Sequence, residues 1–143
     1  MRALFDVNVL IAILDAGHVS HRAAMDWLEE ASQYGWASCP MTQNGCIRIM
    51  SNHKYPAPLP ASLVAKRLEQ AVVAPEHQFW PDDISLLGSL IFDWSYVLSS
   101  RHVTDMYLLA LAVQNQGRLV TFDRRISLQA VSRAEKEHLY VLS

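Results

Sequence analysis

Residues 104–123 read TDMYLLALAVQNQGRLVTFD, and this stretch decides the fold. Its apolar residues follow helical spacing over residues 104–113, and Gly117 is placed to end that helix. Residues 118–122 then read as a buried strand that runs directly into Asp123. A helix followed at once by a buried strand is the repeating unit of α/β proteins.

The same alternation of strand and helix extends over the rest of the chain. Residues 3–5 form a short apolar run that ends at Asp6, and residues 9–14 continue without alternation as a helix. Further strands are expected at residues 36–39, 96–98 and 140–142, and residues 79–81 are expected to form a brief strand or a loop. Further helices are expected at residues 20–34, from Thr42 onward and at 61–73, with a weak helix at 85–91. The sequence therefore predicts an α/β/α sandwich with a mostly parallel central sheet.

The composition sets limits on the class of protein. With 143 residues, the chain is predicted to form one domain, residues 1–143. A hydrophobic fraction of 51% and a charged fraction of 18% exclude a disordered or fibrous chain. A formal charge of −2 provides no overall positive field, so nucleic acid binding must be local. Two cysteines are too few for a disulfide framework. No apolar run is long enough to span a membrane. We therefore expect a cytoplasmic protein.

Three aspartates occupy related positions in the predicted elements. Asp6 and Asp123 each follow a strand, and in open α/β sheets the ligand crevice lies beyond these strand ends. Asp105 follows Thr104, the expected N-cap of a helix. A single such aspartate is usually a cap or turn residue. Three carboxylates that converge need a cation, and hard ions such as Mg²⁺ or Mn²⁺ prefer oxygen ligands.

A second pair of residues repeats this local pattern. Thr42-Gln43 begins a helix as Thr104-Asp105 does, so the Gln43 side chain is expected to face the same crevice. Asn8 lies two residues beyond Asp6, near enough to orient a carboxylate. Ordinary hydrogen bonding at helix starts is the alternative explanation for both residues.

The ordered set of motifs resembles a known family. Three stretches are similar to the three acidic motifs of PIN-domain nucleases. They are LFDVNVLI at 4–11, TD at 104–105 followed by LLALA at 108–112, and LVTFD at 119–123. Residues 36–49 resemble the second motif, and the size and order resemble the VapC-type toxins of toxin–antitoxin pairs. The resemblance implies a Mg²⁺- or Mn²⁺-dependent endoribonuclease with Asp6, Asp105 and Asp123 as catalytic metal ligands.

This chain departs from the common family pattern at three residues, and the resemblance also implies binding partners. Gln43 stands where the family commonly has a catalytic glutamate, and Arg124 and Arg125 follow the last motif where a further acid is common. The resemblance implies an RNA substrate, a cognate antitoxin and a homodimer. We expect the helices that begin near Ser20 and Ala61 to form the dimer contact. We expect substrate to be bound by Asn8, Arg48, Thr121, Arg124 and Arg125. The arginines are included because the geometry of guanidinium matches that of phosphate.

Two other classes of protein fit less well. A phosphatase of the haloacid dehalogenase type needs a second aspartate where Asn8 stands, and both it and a response-regulator receiver need a lysine that is missing near Asp123. The remaining alternative is a catalytically weakened PIN-fold module that binds RNA or protein. The neutral Gln43 is the residue that favours this alternative.

Overall fold

A five-stranded parallel sheet forms the centre of the computed structural model, which describes residues 1–87 and 90–143. The strands are β1 (Ala3–Phe5), β2 (Trp36–Ser38), β3 (His77–Phe79), β4 (Arg118–Thr121) and β5 (Leu139–Val141). Their order is β3-β2-β1-β4-β5, and every neighbouring pair is parallel. In this register Leu4 of β1 lies between Ala37 of β2 and Leu119 of β4. The predicted parallel α/β architecture is confirmed.

Helices cover both faces of the sheet. They are α1 (Val7–Leu14), α2 (His21–Ala31), α3 (Pro40–Met50), α4 (Ala61–Val72) and α5 (His102–Gln114). Because neighbouring side chains of a strand point to opposite faces, Leu4 and Leu119 pack in one cluster with α5, whereas Phe5 and Val120 pack with α1, α3 and α4. The inner strands β1, β2 and β4 are buried on both faces, which explains the apolar runs of β1 and β4, whereas the edge strands β3 and β5 are partly exposed.

Several element boundaries differ from the sequence prediction. α3 begins at Pro40 rather than Thr42, and α5 begins at His102 with Arg101, not Thr104, as its N-cap. The strand expected at 79–81 is displaced to His77–Phe79. The strand expected at 96–98 is wrong, because a 3₁₀ turn spans Trp94–Tyr96 and irregular chain follows it.

The weak helix expected at residues 85–91 is also wrong in the part of that stretch that is described. Residues 85–87 and 90–91 form turns and irregular chain. Gly88 and Ser89 lie outside the described residues. A short apolar run without clear periodicity does not distinguish a helix from an extended segment.

A glycine permits the close approach of α3 to α1. A Cβ atom added at Gly45 would lie 2.7 Å from Cγ2 of Val7, the residue after Asp6. The absence of a side chain at Gly45 thus allows the two helices to pack with their N-terminal ends near each other, at the carboxyl edge of the sheet. No helix among the described residues combines the length and apolar character needed to cross a membrane.

Candidate active site

The direction of the chain connections reverses between β1 and β4. From β1 the chain continues to β2 on one side, and from β4 it continues to β5 on the other. This reversal opens a crevice at the carboxyl ends of the two strands, the usual ligand position in open α/β sheets. Asp6 and Asp123 lie at this crevice, just beyond β1 and β4.

Asp6 is a buried carboxylate held from two directions. It is 7% exposed and caps α1, its Oδ1 accepting the Val7 backbone N–H at 2.7 Å. Its Oδ2 accepts the Thr121 hydroxyl at 2.7 Å. Burial raises the pKa of Asp6, and the two hydrogen bonds oppose this effect only in part. A carboxyl group so placed gains from a nearby cation.

Thr121 connects the first and last motifs. Its hydroxyl donates to Asp6 and accepts the Asp123 backbone N–H at 3.1 Å. Thr121 is fully buried, and its side chain on β4 holds the carboxylate that follows β1. The substrate-binding role expected from the sequence stays a prediction.

Asp105 lies in the first turn of α5, as expected. Burial, then the negative charges of Asp6 and Asp123, raise its pKa to about 7. Asp105 also lines one small space with Arg125, whose Nε donates to Asp123, so α5 begins beside the loop that follows β4. The convergence argued from strand ends and helix starts is present in the fold.

Arg125 partly compensates the charge of this acidic trio, by which we mean Asp6, Asp105 and Asp123. Its backbone N–H and its Nε donate to Asp123 Oδ1 at 2.8 and 3.2 Å. These bonds hold the pKa of Asp123 below its usual range, the backbone bond contributing most. The Arg125 side chain remains 65% exposed, so its guanidinium also faces solvent at the crevice.

The chemistry of the acidic trio fits a hard divalent cation. It offers carboxylate oxygens, and the raised pKa of Asp105 reflects negative charge that a cation would relieve. Within the described ranges, no group of three His, Cys, Asp or Glu is already arranged to hold an ion. Binding would therefore require the side chains at the crevice to rearrange.

Gln43 occupies the helical position that Asp105 occupies in α5. Each is the fourth residue of its helix and follows a threonine in third position. The local similarity expected from the sequence is thus present, although Thr42 bonds the N-cap Cys39 and Thr104 makes no such bond.

The amide of Gln43 belongs to a hydrogen-bond chain. Its Nε2 donates to Ser38 Oγ at 3.0 Å, and Ser38 Oγ lies 2.8 Å from His77 Nε2. Ser38 is fully buried at the end of β2. This chain fixes the amide nitrogen of Gln43; a catalytic role for its side chain in the crevice stays a prediction.

The remaining predicted residues lie at different places. Asn8 is exposed in the first turn of α1, and Arg124 is exposed directly after Asp123, so both border the crevice. Arg48 is exposed in the last turn of α3, where it lines a separate pocket with Lys54 and Tyr55. The sequence alone gave no reason to separate Arg48 from the other arginines.

His102 was not identified from the sequence. It begins α5, one turn before Asp105, and lines a small space of about 10 Å³ with Asp105 and Arg125. Among the residues that are described, His102 Nε2 is one of two buried side-chain polar atoms without a hydrogen-bond partner. A buried nitrogen of this kind is costly until it is paired. The spacing of His102 and Asp105, three residues apart in an expected helix, was the available signal.

Comparison with known proteins identifies relatives over nearly the whole chain. Residues 3–132 match the PIN domain family. The chain is 47% identical over 142 residues to Ribonuclease VapC44 of Mycobacterium tuberculosis, covering 99% of this chain and 100% of that protein. Among solved structures, VapC20 of M. tuberculosis, a sarcin-ricin loop cleaving toxin, superposes with a TM-score of 0.58 at 9% identity, covering 81% of this chain and 85% of that one. VapBC2 from Rickettsia felis, bound to a promoter DNA fragment, gives 0.59 at 10% identity over 100% of both chains.

Proposed function

This chain belongs to the VapC ribonucleases of the PIN-domain family, and from that membership we propose that it cuts RNA phosphodiester bonds at the acidic trio. It is a ribonuclease toxin of a VapBC toxin–antitoxin pair. The observation that carries the assignment to this site is the position of the three aspartates: Asp6 and Asp123 follow the neighbouring strands β1 and β4, and Asp105 lies in the first turn of α5. Burial and the charges of the other two aspartates also raise the pKa of Asp105 to about 7. Three carboxylates that repel one another in one crevice destabilise the folded protein unless a bound cation neutralises their charge.

We propose Mg²⁺ or Mn²⁺ as the cofactor, held by Asp6, Asp105 and Asp123. Both ions accept carboxylate oxygens, and the raised pKa values of Asp6 and Asp105 support a cation at this place. When bound, such an ion would neutralise negative charge on the phosphoryl oxygens and lower the pKa of water.

The chain's own residues orient the ligands and the substrate. Thr121 and the first backbone N–H of α1 fix both oxygens of Asp6. Arg124 and Arg125, exposed at the crevice, are proposed to bind phosphates of RNA beside the cleaved bond. Asn8, exposed beside Asp6, is proposed as a further polar contact for substrate.

We propose an antitoxin that inhibits by placing an arginine or lysine against the acidic trio, because a cation of the partner can neutralise these carboxylates. We also propose a homodimer in the cytoplasm. Exposed apolar side chains support a dimer surface: Met25 and Leu63 are exposed on the expected helices α2 and α4, and Leu87, Leu90 and Leu98 are 88, 88 and 89% exposed. These three leucines are therefore stronger candidates for the contact than the two helices.

A weakened nuclease that binds RNA or protein is the second candidate function. Two observations favour it: residue 43 is a neutral glutamine whose amide nitrogen is bonded to Ser38, and Arg125 already pairs with Asp123. Both reduce the negative charge available to a cation.

Cleavage of RNA by the purified protein discriminates between the two functions. We expect cleavage of a single-stranded RNA with Mg²⁺ or Mn²⁺, and none after addition of EDTA. Asp105→Asn should abolish cleavage, whereas Asp26→Asn on the exposed face of α2 should leave it unchanged. Tight RNA binding without metal-dependent cleavage by the unmodified protein would support the weakened module instead.

A further inference from the structure

The positive charge of this protein is segregated along the chain. Residues 31–68 contain no aspartate or glutamate, although the chain has 14 of them. The same segment contains four of the 12 lysines and arginines: Arg48, Lys54, Lys66 and Arg67. Neither of the two ion pairs found among the described residues, Arg22–Asp26 and Arg125–Asp123, involves these cations. A protein with net charge −2 thus carries a local positive surface on α3, the following loop and α4.

Two of these cations, Arg48 and Lys54, lie beside Tyr55, and a third, Arg67, acts on the acid that Tyr55 bonds. Arg48 and Lys54 line a shallow pocket of about 260 Å³ beside the Tyr55 ring. The Tyr55 hydroxyl donates to Asp15, and Arg67 lies near enough to help hold the pKa of Asp15 below its usual range. Asp15 is the acid facing this group, and it is already engaged by Tyr55. The balance of charge around the pocket is therefore positive.

The lining of the pocket combines an apolar wall with a polar rim. Ile49, Tyr55 and Pro56 form the wall, and Asn52 joins Arg48 and Lys54 at the rim. The Lys54 backbone N–H donates to Asn52 Oδ1 at 2.9 Å, which shapes the loop and leaves the Asn52 amide N–H groups for a ligand. Cationic side chains bind phosphate, and an aromatic or proline face accepts a base.

The size of the pocket fits one unit of a longer ligand. Pockets for complete small molecules have about 300–1,000 Å³. This one is smaller and open, which suits a nucleotide whose neighbours continue along the surface.

The two helices that run from the acidic trio toward this pocket, α1 and α3, contain no acid. Asp6 precedes α1 and Asp15, the partner of Tyr55, follows it, so the eight residues of the helix separate Asp6 from Asp15 by about 12 Å. α1 carries no charged residue, and Arg48 is the one charged residue of α3. A phosphate chain that runs from the acidic trio along these helices meets no carboxylate before it reaches Arg48.

We propose that the pocket of Arg48, Asn52, Lys54 and Tyr55 is a distal subsite that binds one nucleotide of the RNA substrate, about four stacked nucleotides from the cut bond at a rise of roughly 3.4 Å each. The inference rests on the proposed ribonuclease function. An acidic peptide is the competing ligand, but the apolar wall and the absence of acids from α1 and α3 favour RNA. Lys54 and Tyr55 thereby contribute to RNA affinity at a distance from the acidic trio.

RNA binding by charge-neutral variants tests the distal subsite. The probe is a mixed-sequence single-stranded RNA of about 20 nucleotides, bound in EDTA at several salt concentrations. For the double variant Arg48→Gln/Lys54→Gln, loss of two phosphate contacts should reduce the slope of log affinity against log salt by about 1.4, equivalent to about 25-fold weaker binding near 0.1 M salt. Arg133→Gln/Lys136→Gln removes one exposed arginine and one exposed lysine elsewhere, and should leave the slope unchanged. Melting curves confirm that both variants fold.

Cleavage kinetics separate this inference from the function on which it rests. With Mg²⁺, the Arg48→Gln/Lys54→Gln protein should show a raised KM for RNA of about 12 nucleotides but not for a dinucleotide, which is too short to span about 12 Å. An unchanged slope and an unchanged KM for the longer RNA would overturn the subsite while leaving the nuclease intact. Failure of the unmodified protein to cut any RNA, with the slope change still present, would contradict the nuclease function alone. Competition by polyglutamate for the unmodified protein, without any effect of the double substitution on RNA binding, would assign the pocket to an acidic peptide.

Discussion

The Thr121 hydroxyl donates a hydrogen bond to Asp6 Oδ2 at 2.7 Å, and 115 positions in sequence separate the two residues. The bond joins the ends of β1 and β4, where the chain connections reverse. It fixes the most buried carboxylate of the acidic trio in one orientation. Loss of the bond should therefore affect the site more than the fold.

Removal of this hydroxyl is the first test of the site. Thr121→Val keeps the shape of the side chain but leaves Asp6 Oδ2 without its donor, which should destabilise the protein by about 1–3 kcal/mol. Metal affinity should fall as well, because the carboxylate loses its fixed orientation. Urea unfolding and calorimetric titration with Mn²⁺ measure the two effects. Thr121→Ser should restore most of both; failure of serine to restore metal affinity would indicate a packing effect rather than the hydrogen bond.

Relief of charge repulsion at Asp105 should be visible without substrate. In EDTA, Asp105→Asn should raise the melting temperature, because Asp6 and Asp123 then face a neutral amide. In Mn²⁺ the order should reverse, since the unmodified protein gains stability from the bound ion and the variant gains less. Asp26→Asn, on the surface of α2, is the matched control. A variant that melts lower in EDTA and still gains fully from Mn²⁺ would place Asp105 outside the metal site.

The role of residue 43 is tested by restoring the acid that the family commonly has. Gln43→Glu should tighten binding of Mg²⁺, because a fourth negative charge is added near the crevice. The new carboxylate can no longer donate to Ser38, so the hydroxyl of Ser38 must instead donate to it. Calorimetry of both proteins gives the affinity, and cleavage rates at low Mg²⁺ give its effect. Equal affinities would mean that residue 43 acts only within the chain to His77.

His77 should make stability depend on pH. Burial lowers its pKa, and the positive charge of Arg2 acts in the same direction. The folded protein therefore binds this proton less readily than the unfolded chain, whose histidine pKa is about 6.5. The contribution of neutral His77 to the free energy of unfolding is fully present above about pH 6.5. It is lost as the pH falls below that value toward the pKa of His77 in the folded protein. His77→Gln should flatten this part of the profile in urea unfolding between about pH 7.5 and 5.5; an unchanged profile would contradict the assignment.

The end of α5 contains a backbone conformation that glycine would adopt more readily. Gln116 has φ of 56°, and its N–H bonds Val113 O while Gly117 N–H bonds Ala112 O. This is a Schellman ending with glutamine in the left-handed position. Gln116→Gly should stabilise the protein by about 1 kcal/mol and raise the melting temperature by about 4 °C. Gln114→Gly, within the helix, should instead destabilise it by a similar amount.

Much of this arrangement could be predicted because it depends on local sequence. Buried strands such as residues 118–121 are continuous apolar runs, and Asp6 and Asp123 end such runs, so parallel pairing alone brings them to one edge. Asp105 was predicted to join them because helix starts lie at the same edge. The periodicity of α4 was strong enough to give its limits to within one residue.

The rest depends on contacts between distant residues. Nothing local indicates that Thr121 bonds Asp6, that Gln43 bonds Ser38, or that Arg48 faces a different pocket from Arg125. Residues 96–98 were expected to be a strand because three apolar residues in succession fit several structures equally well. The error at Thr104 has a similar origin, since α5 begins at His102 without a side-chain cap that a sequence motif could reveal.

The central claim is that Asp6, Asp105 and Asp123 form one metal-dependent nuclease site, and combined substitutions measure it most directly. Each single Asp→Asn change should reduce the rate of Mg²⁺-dependent RNA cleavage by at least about 10²-fold, while the fold is retained. Because the three carboxylates act as a unit, any double change should reduce the rate little further than a single one. Cleavage rates that fall independently and multiplicatively, or a variant of the acidic trio that cleaves RNA at the unmodified rate, would contradict a single shared site.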